Sequence, residues 1–309
     1  MTLKIINESS FPVNTLGTPT STCTVRVPGV CGELVQGLSK NHPFLVACPI
    51  DFFSRVTVEI YEQSGFIISR EGFYKSAEAV KKTSDYLERN DISARVIIQN
   101  PMPRGKGFGS SSADITGCIA STSIALGNPL TPLEISKIAV DIEPTDPVMF
   151  PGIALLDYKQ GKVSEELGSA PPMEIIAFDF GGSVDTVLFN QVDRSSIWES
   201  IMPDTEKALQ LVRTGIAQGD PKLIAQGATI SALASQKISS KQYMEDVLQF
   251  SKSVGGLGIC VGHSGTIIGV LLDGKAKIGK HVFRQARSYF PQTEEIYHFR
   301  VIDGGIRIV

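Results

Sequence analysis

Short apolar runs alternate along the chain with segments whose apolar residues recur at helical spacing, a mixture that predicts helices layered on sheet. Cys23 to Val27, Phe44 to Val46 and Phe53 to Tyr61 read as strands, the last with Val56, Val58 and Ile60 on one face. Lys75 to Arg89 reads as a helix, with charged residues between Val80 and Leu87. Ala94 to Gln99 returns to strand character, and Asn100-Pro101-Met102-Pro103 leaves regular structure because proline restricts the residue before it. Ser112 to Leu126 places Ile115, Cys118, Ile119 and Thr122 on one apolar or small face, Pro132 to Val140 is a shorter helix, and Ile153 to Leu156 a short strand. Gly168-Ser169-Ala170-Pro171-Pro172 is the best linker, and a boundary near residue 165 gives halves 1–165 and 166–309. The second half opens with a strand at Ile175 to Phe180. Helices over 204–218, 221–235 and 240–252 follow, then strands over 257–262 and 267–272, a helix over 276–289, and closing strands over 297–302 and 305–308.

Composition narrows the function classes. The 29 basic and 32 acidic side chains leave a net charge of −3, so no broad cationic surface points to nucleic acid as the principal partner. Cys23, Cys31, Cys48, Cys118 and Cys260 are far apart and never spaced as C-x-x-C, which argues against zinc clusters and obligate bridges and suits a reducing cytoplasm. Met1 to Thr22 has no continuous apolar core of a signal peptide, and no run approaches the roughly 20 apolar residues that cross a bilayer. A cytoplasmic chain with no membrane association is expected.

The strongest chemical signal is Pro103-Arg104-Gly105-Lys106-Gly107-Phe108-Gly109-Ser110-Ser111-Ser112-Ala113. Alternating glycines let the backbone approach a ligand closely, and the hydroxyls lead into a helix whose first N–H groups attract anions. An exposed serine-glycine turn with ordinary helix capping would have a similar composition. The spacing differs from a P-loop, since Lys106 lies among the glycines, and from the G-x-G-x-x-G dinucleotide fingerprint. A serine hydrolase is disfavoured: there is no G-x-S-x-G elbow, and His42, His263, His281 and His298 stand in no triad context.

This segment resembles the second signature of the GHMP kinases, P-x-x-x-G-L-G-S-S-A-A, with Pro103, Gly107, Gly109, Ser110 and Ser111 matching in position and Phe108 replacing leucine. Two further segments resemble the family in chain order. Glu143-Pro144-Thr145-Asp146-Pro147 places Asp146 where the family carries an aspartate that acts as general base or orients the acceptor hydroxyl, although an aspartate before proline also makes a simple Asx turn. Gly255 to Val270 resembles the third, glycine-rich signature at Gly262, Ser264, Gly265 and Thr266, departs from it at His263, and reads equally well as a plain hairpin. Val27-Pro28-Gly29-Val30-Cys31-Gly32-Glu33 keeps the family's Pro-Gly and Gly-Glu but has Val30 where a basic residue often stands.

The resemblance implies an α+β, two-domain GHMP kinase fold: a ribosomal S5 domain 2-like, ATP-binding N-terminal domain over 1–165 and a ferredoxin-like C-terminal domain over 166–309. It also implies ATP and Mg²⁺ as cofactors and a small amino-acid alcohol as acceptor. Together with Cys48-Pro49-Ile50-Asp51, Gly181 to Thr186 and Phe189-Asn190, the motifs look closest to the branch that phosphorylates L-threonine for cobalamin biosynthesis, with homoserine kinases next and a catalytically silent nucleotide-binding protein as the other class. On that resemblance, Pro103, Arg104, Gly105, Lys106, Gly107, Phe108, Gly109, Ser110, Ser111 and Ser112 hold the nucleotide, with Lys106 or Arg104 offsetting charge. Ser111 and Glu143 hold the metal, Asp146 steers the hydroxyl proton, and Lys106 assists catalysis. Glu33, Ser183, Asp185, Thr186, Gly262, Ser264 and Gly265 face the acceptor, and the purine is placed near Phe53 or Ser54.

Overall fold

In the computed structural model, residues 3–10, 16–39, 42–62, 65–184, 192 and 194–309 are described. The first half comprises β1 (Lys4–Asn7), β2 (Ser21–Ser39), β3 (His42–Tyr61), β4 (Phe66–Ser69), α1 (Tyr74–Tyr86), β5 (Ser93–Gln99), α2 (Ser110–Ala125), α3 (Pro132–Val140), β6 (Ile153–Leu156) and β7 (Ser164–Gly168). The second comprises β8 (Met173–Asp179), α4 (Ser195–Gln218), α5 (Pro221–Ser235), α6 (Met244–Ser253), β9 (Gly258–Val261), β10 (Ile268–Asp273), α7 (Gly279–Tyr289), β11 (Glu295–Arg300) and β12 (Arg307–Ile308).

These strands join one sheet in the order β1-β4-β5-β3-β2-β9-β10-β8-β11, with β6 and β7 branching from β3 and β12 lying on β2. Pairing is antiparallel except for β1 with β4 and β4 with β5. The two halves share this sheet through Glu33 of β2 opposite Val261 of β9. The boundary placed at 165 falls inside β7, and the C-terminal segment returns to the first half through Ile50 with Val301, Gly152 with Gly304, and β12 with β2.

Alternation in the long hairpin decides where the helices lie. Val25, Val27, Val56 and Val58 are fully buried on one face, whereas Arg26 and Arg55 on the other face are exposed. α2 covers the apolar face and packs on both β2 and β3. It can come close because residue 117 is glycine: a Cβ there would meet Val56 Cγ2 at 2.5 Å. In the second half α5 and α6 cover β9, and α7 packs on β8 and β11. A second cluster of buried side chains, Phe178, Phe250, Phe290, Val261 and Val270 among them, fills that layer.

Three local differences from the sequence pattern have plain causes. The two strands expected at 23–27 and 44–46 are parts of strands that run unbroken over Ser21–Ser39 and His42–Tyr61, because β2 absorbs Pro28, Gly29 and Gly32 in register shifts instead of ending there. α4 starts at Ser195, and Pro203 lies inside it, where the expected helix began only at 204. β1, β4 and β7 are too short or too polar to register as apolar runs.

Substituting Gly117→Ala is expected to overpack the α2–sheet contact and cost about 1–3 kcal/mol, read as a lower midpoint in thermal or urea unfolding. An unchanged midpoint would show that α2 does not press on Val56.

Candidate functional site

The irregular stretch of β2 is where the site begins. Between Pro28 and Val35 the register with β3 slips three times, freeing backbone groups from the ladder. Two of them bind the glycine loop instead: Val30 N–H donates to the Phe108 carbonyl at 2.9 Å, and Gly32 N–H to that of Gly107 at 3.0 Å. Lys106 O accepts from Thr266 and Ile267 N–H at 2.8 and 3.0 Å, and Gly105 O from Val184 N–H at 2.9 Å. The segment expected to hold phosphates is thus clamped by three others.

These contacts require glycine. A Cβ on Gly265 would lie 2.3 Å from the Lys106 carbonyl oxygen, and one on Gly32 would lie 2.2 Å from that of Val261. Gly109 has φ +64° and caps α2 without a side-chain hydrogen bond, leaving the first-turn N–H groups of Ser110, Ser111 and Ser112 without intrahelical acceptors.

A cavity of 360 Å³ opens over this helix end. One wall is Pro103 to Gly105 and Gly107 to Ser112, and a second is Phe73, Tyr74 and Lys75 at the start of α1. The floor includes Val30, Glu33, Gln36, Leu45, Glu143, Thr145, Asp146 and Tyr158, with Val184 and Ser264 at the side. Asp146 lies at the junction. Its N–H donates to Ser112 Oγ at 3.0 Å and its Oδ2 accepts from the same hydroxyl at 2.9 Å. A side chain at Gly109 would press on that carboxylate. Burial, then the charge of Glu33, pushes the Asp146 pKa up to about 7.

Glu33 is 6% exposed, and its Oε2 accepts from both the backbone N–H and Nδ1 of His263, at 2.8 and 2.9 Å. His263 Nε2 in turn lies 3.4 Å from Ser231 Oγ on α5. Lys241, between α5 and α6, donates to the carbonyls of His263 and Gly265, and burial pushes its pKa down to about 8. Gln36 Oε1 and Thr145 Oγ1, both buried, have no hydrogen-bond partner among the described residues. Asp114, held by Ser54 Oγ and Asn100 Nδ2 at 2.6 and 2.7 Å, has its pKa raised by burial.

Each expected residue can now be placed. Pro103, Gly105, Gly107, Gly109, Ser110, Ser111, Ser112, Glu143, Asp146, Glu33 and Ser264 line the cavity together. Gly262 and Gly265 press on Gly107 from behind. Arg104 lines the mouth, its guanidinium 4.4 Å from the centre of the Phe73 ring. Phe108 borders the cavity but is anchored among Phe52, Tyr297 and Phe299. Lys106 points elsewhere: its ammonium binds Asp179 at 2.8 Å and Glu294 at 3.2 Å, outside the cavity lining. Ser183 packs under Gly105 and does not line the cavity, and Asp185 and Thr186 lie outside the described residues. Phe53 is also away from the cavity, with Arg26 and Arg307 on its ring, and Ser54 is buried against Asp114. The purine position expected there has no cavity wall to support it.

Lys75 was missed by motif reading because it sits at a helix start with no signature around it. It is the ammonium on the cavity wall, ion-paired with Glu143. Lys241 and Tyr158 were equally invisible, since only the fold brings them to the site.

Residues 73–150, which carry the loop, α2 and Asp146, match the family model described as the GHMP kinases N terminal domain. Residues 73–150 thus carry a GHMP kinase N-terminal domain. It is 26% identical to an L-threonine kinase of Salmonella typhimurium over 92% of this chain and 94% of that protein, and 22% identical to a homoserine kinase of Carboxydothermus hydrogenoformans over 92% and 96%. Among solved structures, a homoserine kinase from Cytophaga hutchinsonii superposes with a TM-score of 0.73 at 16% identity, covering 94% of this chain and 98% of that one. The chain therefore has the α+β fold of these kinases, as its motifs implied.

The Lys106–Asp179 contact ties the glycine loop to the end of β8. Unfolding free energies of Lys106→Met, Asp179→Asn and the double variant are expected to show a coupling of about 0.5–3 kcal/mol. Strict additivity would show that Lys106 does not fasten the loop through Asp179.

Proposed function

We propose that this protein is an ATP-dependent kinase that transfers the γ-phosphoryl group to the hydroxyl of L-threonine, giving O-phospho-L-threonine for cobalamin biosynthesis. The carrying observation is that one cavity joins the uncapped end of α2 to the Asp146 carboxylate. Phosphoryl transfer asks a protein chiefly to position an acceptor oxygen, spread positive charge over phosphates and exclude water. The first-turn N–H groups of α2 and the amides of the glycine loop bind phosphate oxygens. Asp146 takes the acceptor's hydroxyl proton as that oxygen attacks the γ-phosphorus and the bond to ADP breaks.

Ser111 and Glu143 bring a hydroxyl and a carboxylate to the same cavity, hard oxygen donors of the kind Mg²⁺ takes when phosphates and water complete its shell. When bound, the ion offsets phosphate charge. Lys75, now paired with Glu143, adds a further positive charge there, in place of the basic residue absent at Val30. Glu33 and the unpartnered oxygens of Gln36 and Thr145 offer acceptors to an ammonium group, with Ser264 at the cavity side. Residues 1–165 serve as the ATP-binding N-terminal domain and 166–309 as the C-terminal domain.

Homoserine is the rival acceptor, favoured by the relative of that name at 22% identity. Mg-ATP assays with L-threonine, L-serine, L-homoserine and isoprenoid alcohols decide the matter: the highest kcat/KM is expected with L-threonine, and no ADP release with any of them would overturn the reading. Because Asp146 must be ionised to accept the proton, kcat is expected to rise with pH through a limb near 7. Glu33→Gln is expected to shift that limb to lower pH by removing a neighbouring negative charge, and Asp146→Asn to lower kcat by about 10²–10⁴-fold. A pH profile indifferent to Glu33 would remove Glu33 as the cause.

A further inference from the structure

The outer face of the first-half sheet carries a feature the kinase reading does not use. Arg307 of β12 stands opposite Arg26 of β2, and Arg26 opposite Arg55 of β3, with Gln99 of β5 next across. Directly opposed residues of antiparallel strands project to the same face, so three guanidinium groups form a row across the strands. Strands lie about 4.8 Å apart, so the charges are neighbours. Arg26 and Arg55 are exposed, and Arg307 is half-buried.

Two of the three are held in place. The guanidinium carbons of Arg26 and Arg307 each lie 5.0 Å from the centre of the Phe53 ring, hence no more than twice 5.0 Å from one another. Arg307 also donates to the carbonyls of Asp303 and Gly305. Burial, and then the charge of Arg26, pushes its pKa down, which marks the row as repulsive.

Among the described residues no carboxylate is ion-paired with the row, and Asp303 only partly offsets the charge at Arg307. Asp303 gives an oxygen to the N–H of Ala170, Glu59 is engaged by Arg95 and Tyr61, and Asp51 is paired with Arg300. Neither the Arg26 nor the Arg55 side chain has a hydrogen bond or ion pair among the described residues. Like charges directly opposed in a sheet destabilise it, and here they persist in a chain whose net charge is −3.

We propose that this row is a docking surface for an acidic, carboxylate-bearing segment of a partner protein. Guanidinium forks match carboxylates in bidentate geometry. The surface is an open sheet face outside the cavity described above, which suits an extended macromolecular contact better than an enclosed small molecule. Nucleic acid fits less well, because the overall charge repels a long polyanion and the Phe53 ring, already engaged by two guanidiniums, is poorly placed to stack on bases.

The full chain is titrated with a labelled oligoglutamate peptide at low and physiological salt, alongside oligothymidylate and inorganic phosphate. Salt-sensitive peptide binding is expected, weakened about tenfold or more by combined Arg26→Gln and Arg55→Gln. Arg284→Gln on exposed α7 is expected to leave it unchanged. Phosphotransfer should be unaffected by the paired substitution, and the unfolding midpoint should hold or rise as repulsion is relieved. The proposal is overturned if the peptide does not bind at low salt, if the paired variant binds as well as the parent, or if Arg284→Gln weakens binding equally. It is also overturned if oligothymidylate or phosphate binds where the peptide does not, or if the paired variant loses stability.

Discussion

Backbone approaching backbone at Gly107 is the constraint on which the site depends. The Gly262–Gly265 turn presses against this residue, the bulged stretch of β2 hydrogen-bonds to it, and it leads into α2. Any side chain at Gly265 or Gly32 would push carbonyls apart, so the glycine loop has its shape only while parts of both halves are in contact. The loop is not a flexible turn awaiting a ligand. Its carbonyls already accept from Val30, Gly32, Val184, Thr266 and Ile267, which leaves its remaining amides and the helix end as the groups available to an anion.

Packing these turns together also gathers charge. Glu33, Asp114, Glu143 and Asp146 all border one cavity, with Lys75 as the cation paired there. Burial, and then the charge of Glu33, raises Asp146 to about 7, where its support is the Ser112 hydroxyl and its own backbone, and burial raises Asp114 as well. The other carboxylates have stronger local answers: a histidine for Glu33, an ammonium for Glu143, a hydroxyl and an amide for Asp114.

What the sequence made legible follows from range. The glycine loop, α2 and Asp146 lie within one contiguous stretch, and their residue types report local needs: positive φ, free helix amides, a turn before proline. Those parts assembled where their spacing implied. Lys106 misled because its place among the glycines suggests a phosphate partner, whereas Asp179 and Glu294, far along the chain, claim its ammonium. Phe53 misled because an aromatic on a strand near the loop resembles a purine platform, yet alternation turns it to the face opposite α2, where Arg26 and Arg307 meet it. Both depend on which distant strand or turn arrives alongside, information that no local pattern carries.

Lys241 shows how far that dependence extends. The carbonyls of His263 and Gly265 are turned inward by the tightness of their turn, and a buried carbonyl without a donor is costly. A single ammonium from the α5–α6 connection answers both, at the expense of its own hydration, as its lowered pKa records. The Lys241 N–H is itself fastened to Gln236 Oε1 at 2.6 Å. Gln36 N–H meets Ser231 Oγ on the same α5, so the helix that supports the third glycine turn also supports the floor of the cavity. The cavity floor and the glycine turn therefore rest on one element, and a shift of α5 relative to β2 would disturb both together. Neither half of the chain contains a complete site: the first supplies α2, Asp146 and Glu143, and the second supplies the turn and the helix that hold Glu33 and the loop in place.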